Sequence, residues 1–348
     1  MKTSVLLGAL LLVWASGAIA QQSQTDNSSI SGLVYSDYYW MADHYDENVK
    51  GEHGFWFRRV YFTYDRQISD AFSARFRLEG NSAGDFNSST NIIPEIKDLY
   101  LRWQSGQHQI EAGISSTPTF SLVDEVWGYR SVEKSPLDLL DFASSRDIGL
   151  SFKGELDREG RINYHLMIGN GNSNRSEFNK GKKLMIALSY ELTENVVVEV
   201  YGDYEDRTEN QARGTIQGFA GYQSEPFNAG VLFAHQTRYN MPAAVGEQAQ
   251  DRGLEIASVF TNFQISESAN GYLRLDKTFD PFSGLTDNDY FPISDLAAAT
   301  ILIAGVDLEL AEDVSLMPNI ESAFYAENDD GVSPGNTLIP RLTLHYDF

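Results

Sequence analysis

The stretch LIPRLTLHYDF, Leu338 to Phe348, has a period of two: Leu342, Leu344, Tyr346 and Phe348 alternate with Arg341, Thr343, His345 and Asp347. A strand sends successive side chains to opposite faces. This one therefore carries an apolar face and a polar, titratable face, and it ends on an aromatic. A strand that is greasy on one side and wet on the other needs a sheet with lipid or core outside and water inside.

Working outward from it, turn signals cut the chain before Leu338 into further alternating segments, about sixteen in all with the last. They are 30–40, 54–67, 72–81, 95–104, 107–115, 144–156, 160–169, 182–193, 196–205, 214–224, 228–238, 252–266, 270–279, 299–311, 314–326 and 337–348. Each is close to the roughly ten residues that a tilted membrane strand requires. Short and long connections alternate between them, from the tight turn at Ser105 and Gly106 to the long run from Ser116 to Ala143. One rim is tight and the other elaborate. The pattern predicts an all-β fold, a transmembrane antiparallel β-barrel of about 16 strands with short periplasmic turns and long extracellular loops, its last strand paired with its first.

Residues 1–20 carry Lys2, an apolar run from Val5 to Ala15 and the small-residue pattern Ala18-Ile19-Ala20. They read as a secretory signal peptide, the run being shorter than the roughly twenty residues of a helical span. Residues 21–348 then form a single barrel domain. Removing the signal takes one lysine and no acid, so 26 bases and 49 acids become 25 and 49, a formal charge of −24. Such a chain does not bind nucleic acid through its general field. With no cysteine there is no disulfide framework.

Aromatics are expected where strands cross the two membrane interfaces. Tyr64, Trp103, Tyr190, Tyr346 and Phe348 fall at the short-turn ends, and Trp40, Phe55, Trp56, Phe279, Phe324 and Tyr325 at the long-loop ends.

The apolar set fixes the phase of each strand, and with it the residues that face the lumen. On the second to fourth segments these are Arg59, Tyr61, Thr63, Arg75, Arg77, Glu79, Asp98, Tyr100 and Arg102. Arg59, Arg75, Arg77 and Arg102 form a basic stripe, since an arginine facing lipid at mid-depth costs several kcal/mol. Arg58 breaks the alternation and marks either an interface position or a bulge. Elsewhere the lumenal positions, among them Glu111, are mostly acidic, with Lys153, Arg274 and Arg341 as basic exceptions.

The connection 116–143, STPTFSLVDEVWGYRSVEKSPLDLLDFA, holds Phe120, Val126, Trp127, Leu137, Leu140 and Phe142, too much apolar surface for a loop in water. It is expected to fold inward as a constriction, with Asp124, Glu125 and Glu133 facing the arginine stripe, or else to pack against a neighbouring subunit. Opposed rows of charge across a wet gap orient polar solutes. The acidic majority and the acidic loops predict weak cation preference at low salt.

FRRVYFTYDRQISDAFSARFRLEG, KDLYLRWQSGQHQIEAGISSTPTFSL and SSRDIGLSFKGEL together resemble Gram-negative outer-membrane porins, and within them the phosphate-selective porin O and P family. The likeness covers about Phe55 to Leu156, where an Arg- and aromatic-rich strand pair precedes a Thr-Pro and the later Arg146-to-Gly149 run. It implies a passive channel for small hydrophilic solutes and ions, with anion or phosphate preference, in a homotrimer set in outer-membrane lipid and lipopolysaccharide. None of the six histidines sits in a nucleophile or metal motif, so no enzyme, cofactor or metal is expected. The alternative is a structural or surface-binding barrel, adhesin- or receptor-like, whose acidic loops DHYDENVKGEH and NDDGVS hold divalent cations.

Overall fold

In the computed structural model, residues 27–82, 91–207, 211–241, 248–282, 290–328 and 330–348 are described. Residues 1–20, read above as a signal peptide, lie outside them.

Sixteen strands run in chain order: β1 (Ser28–Trp40), β2 (His53–Gln67), β3 (Phe72–Asn81), β4 (Ile93–Ser105), β5 (His108–Ser116), β6 (Arg146–Glu155), β7 (Ile162–Gly169), β8 (Lys183–Thr193), β9 (Val196–Asp206), β10 (Ala212–Ser224), β11 (Phe227–Met241), β12 (Gln250–Ser266), β13 (Ala269–Thr278), β14 (Ala299–Ala311), β15 (Val314–Tyr325) and β16 (Thr337–Asp347). Each pairs antiparallel with its sequence neighbours, and β16 closes the barrel against β1. Closure removes every free sheet edge, which a barrel in lipid requires. At the seam, backbone bonds join Gly32 and Phe348 in both directions, at 2.7 and 2.9 Å. Gly32 suits that position, because a Cβ would meet the Tyr61 carbonyl oxygen at 2.7 Å as well as the Phe348 ring. No helix among the described residues is long and apolar enough to cross a membrane.

Outward positions stay apolar and exposed, as with Leu99, Leu101 and Trp103 on β4 or Leu184, Ile186 and Leu188 on β8. Trp40, Phe55, Phe279 and Phe324 are exposed at one rim and Trp103 and Phe348 at the other. Trp56 and Tyr325 depart from the expected girdle. Each follows an outward aromatic in sequence, so alternation sends it inside, where Trp56 Nε1 donates to Asp37 at 2.7 Å and Tyr325 Oη accepts from the Ser294 amide at 3.0 Å.

The interior is divided in two. On β10 to β16 many inward side chains are apolar and fully buried, among them Phe219, Leu254, Ile256, Phe260, Ile301 and Ile303. The connection between β5 and β6 covers them. Its helix α1 (Ser121–Trp127) presents Val123, Val126 and Trp127 to this wall, and the short helix α2 (Pro136–Leu139) adds Leu137 and Leu139. Trp127 lies edge-on to Phe260 at 5.4 Å, beneath the Arg274 guanidinium, also at 5.4 Å. On β14, Ile301 and Ile303 are buried in the core they share with this loop. Apolar area removed from water contributes about 25 cal/mol per Å², so the insertion is held by burial before any polar contact is counted.

A second connection, between β13 and β14, also enters. Tyr290, Phe291, Ile293 and Ser294 are buried, the Tyr290 hydroxyl donates to the Arg58 carbonyl at 3.0 Å, and Phe282 packs on Phe142 at 5.3 Å.

Candidate functional site

The polar half of the interior is built on β2 to β6, and two bulges shape it. Between β1 and β2 the register steps from Tyr35↔Arg59 to Ser36↔Phe57, leaving Arg58 as the extra residue. Between β3 and β4 it steps from Arg77↔Asp98 to Leu78↔Ile96, leaving Lys97 extra. A bulge opposes two residues to one and re-aims a side chain. Arg58 and Arg59 both point inward, and so do Lys97 and Asp98.

These placements pin each buried acid between two bases. Glu79 lies 2.7 Å from Arg59 and 2.5 Å from Lys97. Both contacts are ion pairs by distance, without hydrogen-bond alignment. Asp98 is paired with Arg77 at 3.3 Å and with Arg146. Glu111 holds Arg102 at 2.6 Å and Lys153 at 2.9 Å. Two cations and one anion leave each cluster with one net positive charge. Arg75 differs: it grips Asp65 through two hydrogen bonds of 2.7 and 2.8 Å, and that pair is neutral. Tyr61 lies under Arg77 at 4.9 Å and Arg59 at 5.4 Å, and Tyr100 under Arg102 at 5.3 Å. Lys97 escaped the sequence reading because strict alternation puts it outside. The adjacent charges Arg58-Arg59 and Lys97-Asp98, in otherwise alternating strands, were the available signal.

The inserted loop has the inverse composition. Arg130 bridges two acids, Asp124 at 2.9 Å and Asp138 at 2.5 Å, leaving one net negative charge. Burial raises the Asp124 carboxyl above its ordinary value, and Arg130 only partly offsets it. Burial also opposes ionisation of Asp138, but Arg130, then Lys134 and Arg59 of the wall, outweigh it and hold that carboxyl at about 2.

Glu125 and Glu133 do not face the arginine stripe. Asp124 and Glu125 are neighbours on α1 and diverge by about 100° around its axis, so Glu125 lines a separate recess against β7 to β9. Glu133 is drawn beneath the loop, 3.5 Å from Arg341, which itself lies 2.7 Å from Glu321 and donates to the Tyr290 carbonyl. Arg341 and Arg58 are thus ties for the inserted segments. Arg58 holds Asp37 at 2.5 Å and donates to the carbonyls of Ser131 and Val132.

Toward the long-loop rim a further basic feature lies on β10 to β12. Arg213 is directly opposite Arg238, and Arg238 directly opposite Arg252. Like charges in register destabilise a sheet. None of the three has a carboxylate at salt-bridge distance among the described residues, and Arg238, nearly buried, spends its Nε on Gln236 at 2.9 Å.

No family model matches this chain, and no curated protein matches it. Solved structures do. The anion-selective porin from Comamonas acidovorans aligns with a TM-score of 0.67 over 92% of this chain and 99% of its own, at 10% identity. This chain has the porin fold. OmpF of Salmonella typhi, solved with daunomycin, aligns at 0.66 over 93% and 99% with 12% identity, and the outer-membrane channel DcaP of Acinetobacter baumannii at 0.61 over 92% and 97%, also at 12%. At such identities the likeness to porins is one of fold, and the charged lumen has to be read from this chain's own residues.

Proposed function

We propose that this chain is an outer-membrane porin, a water-filled channel through which small hydrophilic solutes and ions diffuse passively, and that it prefers anions. The observation that carries the preference is the stoichiometry of the interior clusters. The wall from β2 to β6 offers two bases for each acid at Glu79, Asp98 and Glu111, and the inserted loop offers two acids for one base at Arg130. A solute passing between them meets a transverse field with its positive side on the wall. The overall negative charge of the chain acts from greater distance and is screened beyond roughly 8 Å at physiological ionic strength. The Arg213–Arg238–Arg252 row draws anions toward the long-loop mouth by the same physics.

The remaining parts of the reading are carried over from the sequence, and the porin fold supports them. Residues 1–20 direct export, and the barrel sits in outer-membrane lipid with lipopolysaccharide around its long-loop rim. It assembles as a homotrimer; one porin-fold neighbour, OmpT of Vibrio cholerae, is described in a trimer form. Transport needs no catalysis and no cofactor. Phosphate preference, which the resemblance to the porin O and P family implies, is a finer form of the same proposal.

Planar-bilayer recording decides among these. A large ohmic step with a reversal potential on the anion side of a potassium chloride gradient is the expected result, and partial block by millimolar phosphate identifies the finer preference. A barrel that inserts without conductance is the surface-binding alternative. A reversal potential on the cation side overturns the assignment of selectivity to the wall clusters.

A further inference from the structure

A recess of about 360 Å³ lies between α1 and the inner face of β7 to β9, apart from the charged clusters. Glu199 contributes to its lining. That residue is 7% exposed, and its Oε1 is buried with no hydrogen-bond partner. Its register neighbours are Ser189 on β8 and Phe219 on β10. Glu125 of α1 also lines the recess, with Leu122 and Val197 as apolar wall. No lysine or arginine is among the described lining residues, and the histidine that lines it, His165, shares its Nε2 with the Ser151 hydroxyl at 2.7 Å and makes no ion pair with either acid, whereas every other buried acid discussed above has an arginine or lysine beside it.

A buried carboxylate without a counter-charge is costly, so such a group either stays neutral or takes a cation from outside. The described residues hold no cluster of three or more acidic, histidine or cysteine side chains suited to a metal ion. A mostly polar recess with apolar contacts such as Leu122 and Val197 beside its carboxylates matches a different ligand, an alkylammonium group whose charged head meets the acid and whose short stem meets those two side chains. We infer that this recess is a binding site for small organic ammonium ions, with Glu199 as the anionic contact and Glu125 as a second, outer one. It takes the opposite charge class to the solutes proposed for the channel, and it does not require the channel to conduct.

Isothermal titration of the detergent-solubilised barrel with n-butylammonium chloride tests it, with n-butanol and sodium butyrate as controls sharing the four-carbon stem. Saturable binding of butylammonium alone is expected. Glu199→Gln should weaken it at least tenfold and Glu125→Gln severalfold. If Glu199→Gln does not fold, Leu122→Trp, which fills the recess and leaves both acids in place, should abolish binding instead. Three results overturn the inference: no saturable heat with the parent protein, equal affinity in parent and variants, or butanol binding as tightly as butylammonium, which marks an apolar recess beside a neutral carboxyl. Conductance is not the readout, so failure here leaves the porin assignment standing, and a non-conducting barrel can still bind the amine.

Discussion

Arg58 donates to the carbonyl of Val132, tying a strand of the wall to the loop that crosses its interior. The same guanidinium neutralises Asp37 on β1, which is fully buried as a side chain. Arg58→Ala therefore strands a buried carboxylate and releases the loop in one step. Breaking a buried pair from one side costs about 3–5 kcal/mol. The midpoint of heat- or urea-induced unfolding should drop accordingly, and protease cleavage within residues 128–143 should appear in the folded protein. Arg58→Lys keeps the charge but not the fork, and it is expected to hold the fold while still exposing the loop. Wild-type protection in both variants would remove Arg58 from its role as a tie.

Trp127 carries the apolar side of the same attachment, fully buried between Phe260, Tyr272 and Arg274. Trp127→Ala should cost about 3–5 kcal/mol. Because the loss falls on the inserted loop and leaves the ladder untouched, single-channel records should show noisier and larger open currents with the barrel still inserted. A quiet, unchanged channel would mean that the loop does not border the conducting path.

Selectivity should follow the wall clusters. Arg77→Ala combined with Arg102→Ala leaves Asp98 with Arg146 alone and Glu111 with Lys153 alone, so both clusters become neutral. At about 8 Å and an effective dielectric near 20, each lost charge changes the energy of a passing ion by about 2 kcal/mol. The reversal potential should move toward the cation side. Arg75→Ala, at a level between the two and leaving Asp65 unpaired, also removes one positive charge and should move the reversal potential the same way by about half as much. A double variant indistinguishable from the parent would assign the clusters to wall structure only.

Acidification separates the two loop acids. Burial raises Asp124 above the ordinary carboxylate value, while Asp138 is held at about 2, so Asp124 takes up its proton first as pH falls. Asp138 stabilises the folded loop above its unfolded value near 3.9 and loses that contribution only as pH falls through about 2. Asp124 contributes in the opposite sense, favouring the fold at low pH, so the loop should stay in place at pH 4. Its cluster then passes from two acids and one base toward balance, and anion preference should rise on acidification. Asp124→Asn should show the acid-form preference already at pH 7 and no further step. A parent channel with no pH dependence between 7 and 4 contradicts this account.

Alternation made the wall legible: all sixteen strands fall within three residues of the spans read from sequence, and the inward phase of Arg59, Arg75, Arg77 and Arg102 follows from it. The apolar excess between Ser116 and Ala143 pointed to a loop with somewhere to go. What alternation hides is what departs from it. Arg58 and Lys97 point inward only because each is an extra residue in its strand, and nothing local separates a bulge from a register error. The directions of Asp124 and Glu125 depend on how α1 rolls against β10 to β12, and that of Glu133 on its approach to Arg341 beneath the loop, both tertiary facts. Tyr290 was missed for a related reason: its connection is less greasy than the longer loop, and its anchors, the hydroxyl reaching the Arg58 carbonyl and the carbonyl accepting from Arg341, are made to residues distant in sequence.

The seam between β16 and β1 is stitched from within as well as along its backbone. Arg341 on the closing strand meets Glu133 of one inserted segment and the Tyr290 carbonyl of the other, and Asp37 on the opening strand meets Arg58 and accepts from Thr343 across the seam at 2.6 Å. Each of these charges keeps a partner on the wall, Glu321 for Arg341 and Asp37 for Arg58, but the guanidinium donors turned toward Tyr290, Ser131 and Val132 are met only by the inserted segments. The closing seam is thus fastened in part to what it encloses, so that loosening the loops also slackens the place where the cylinder is joined.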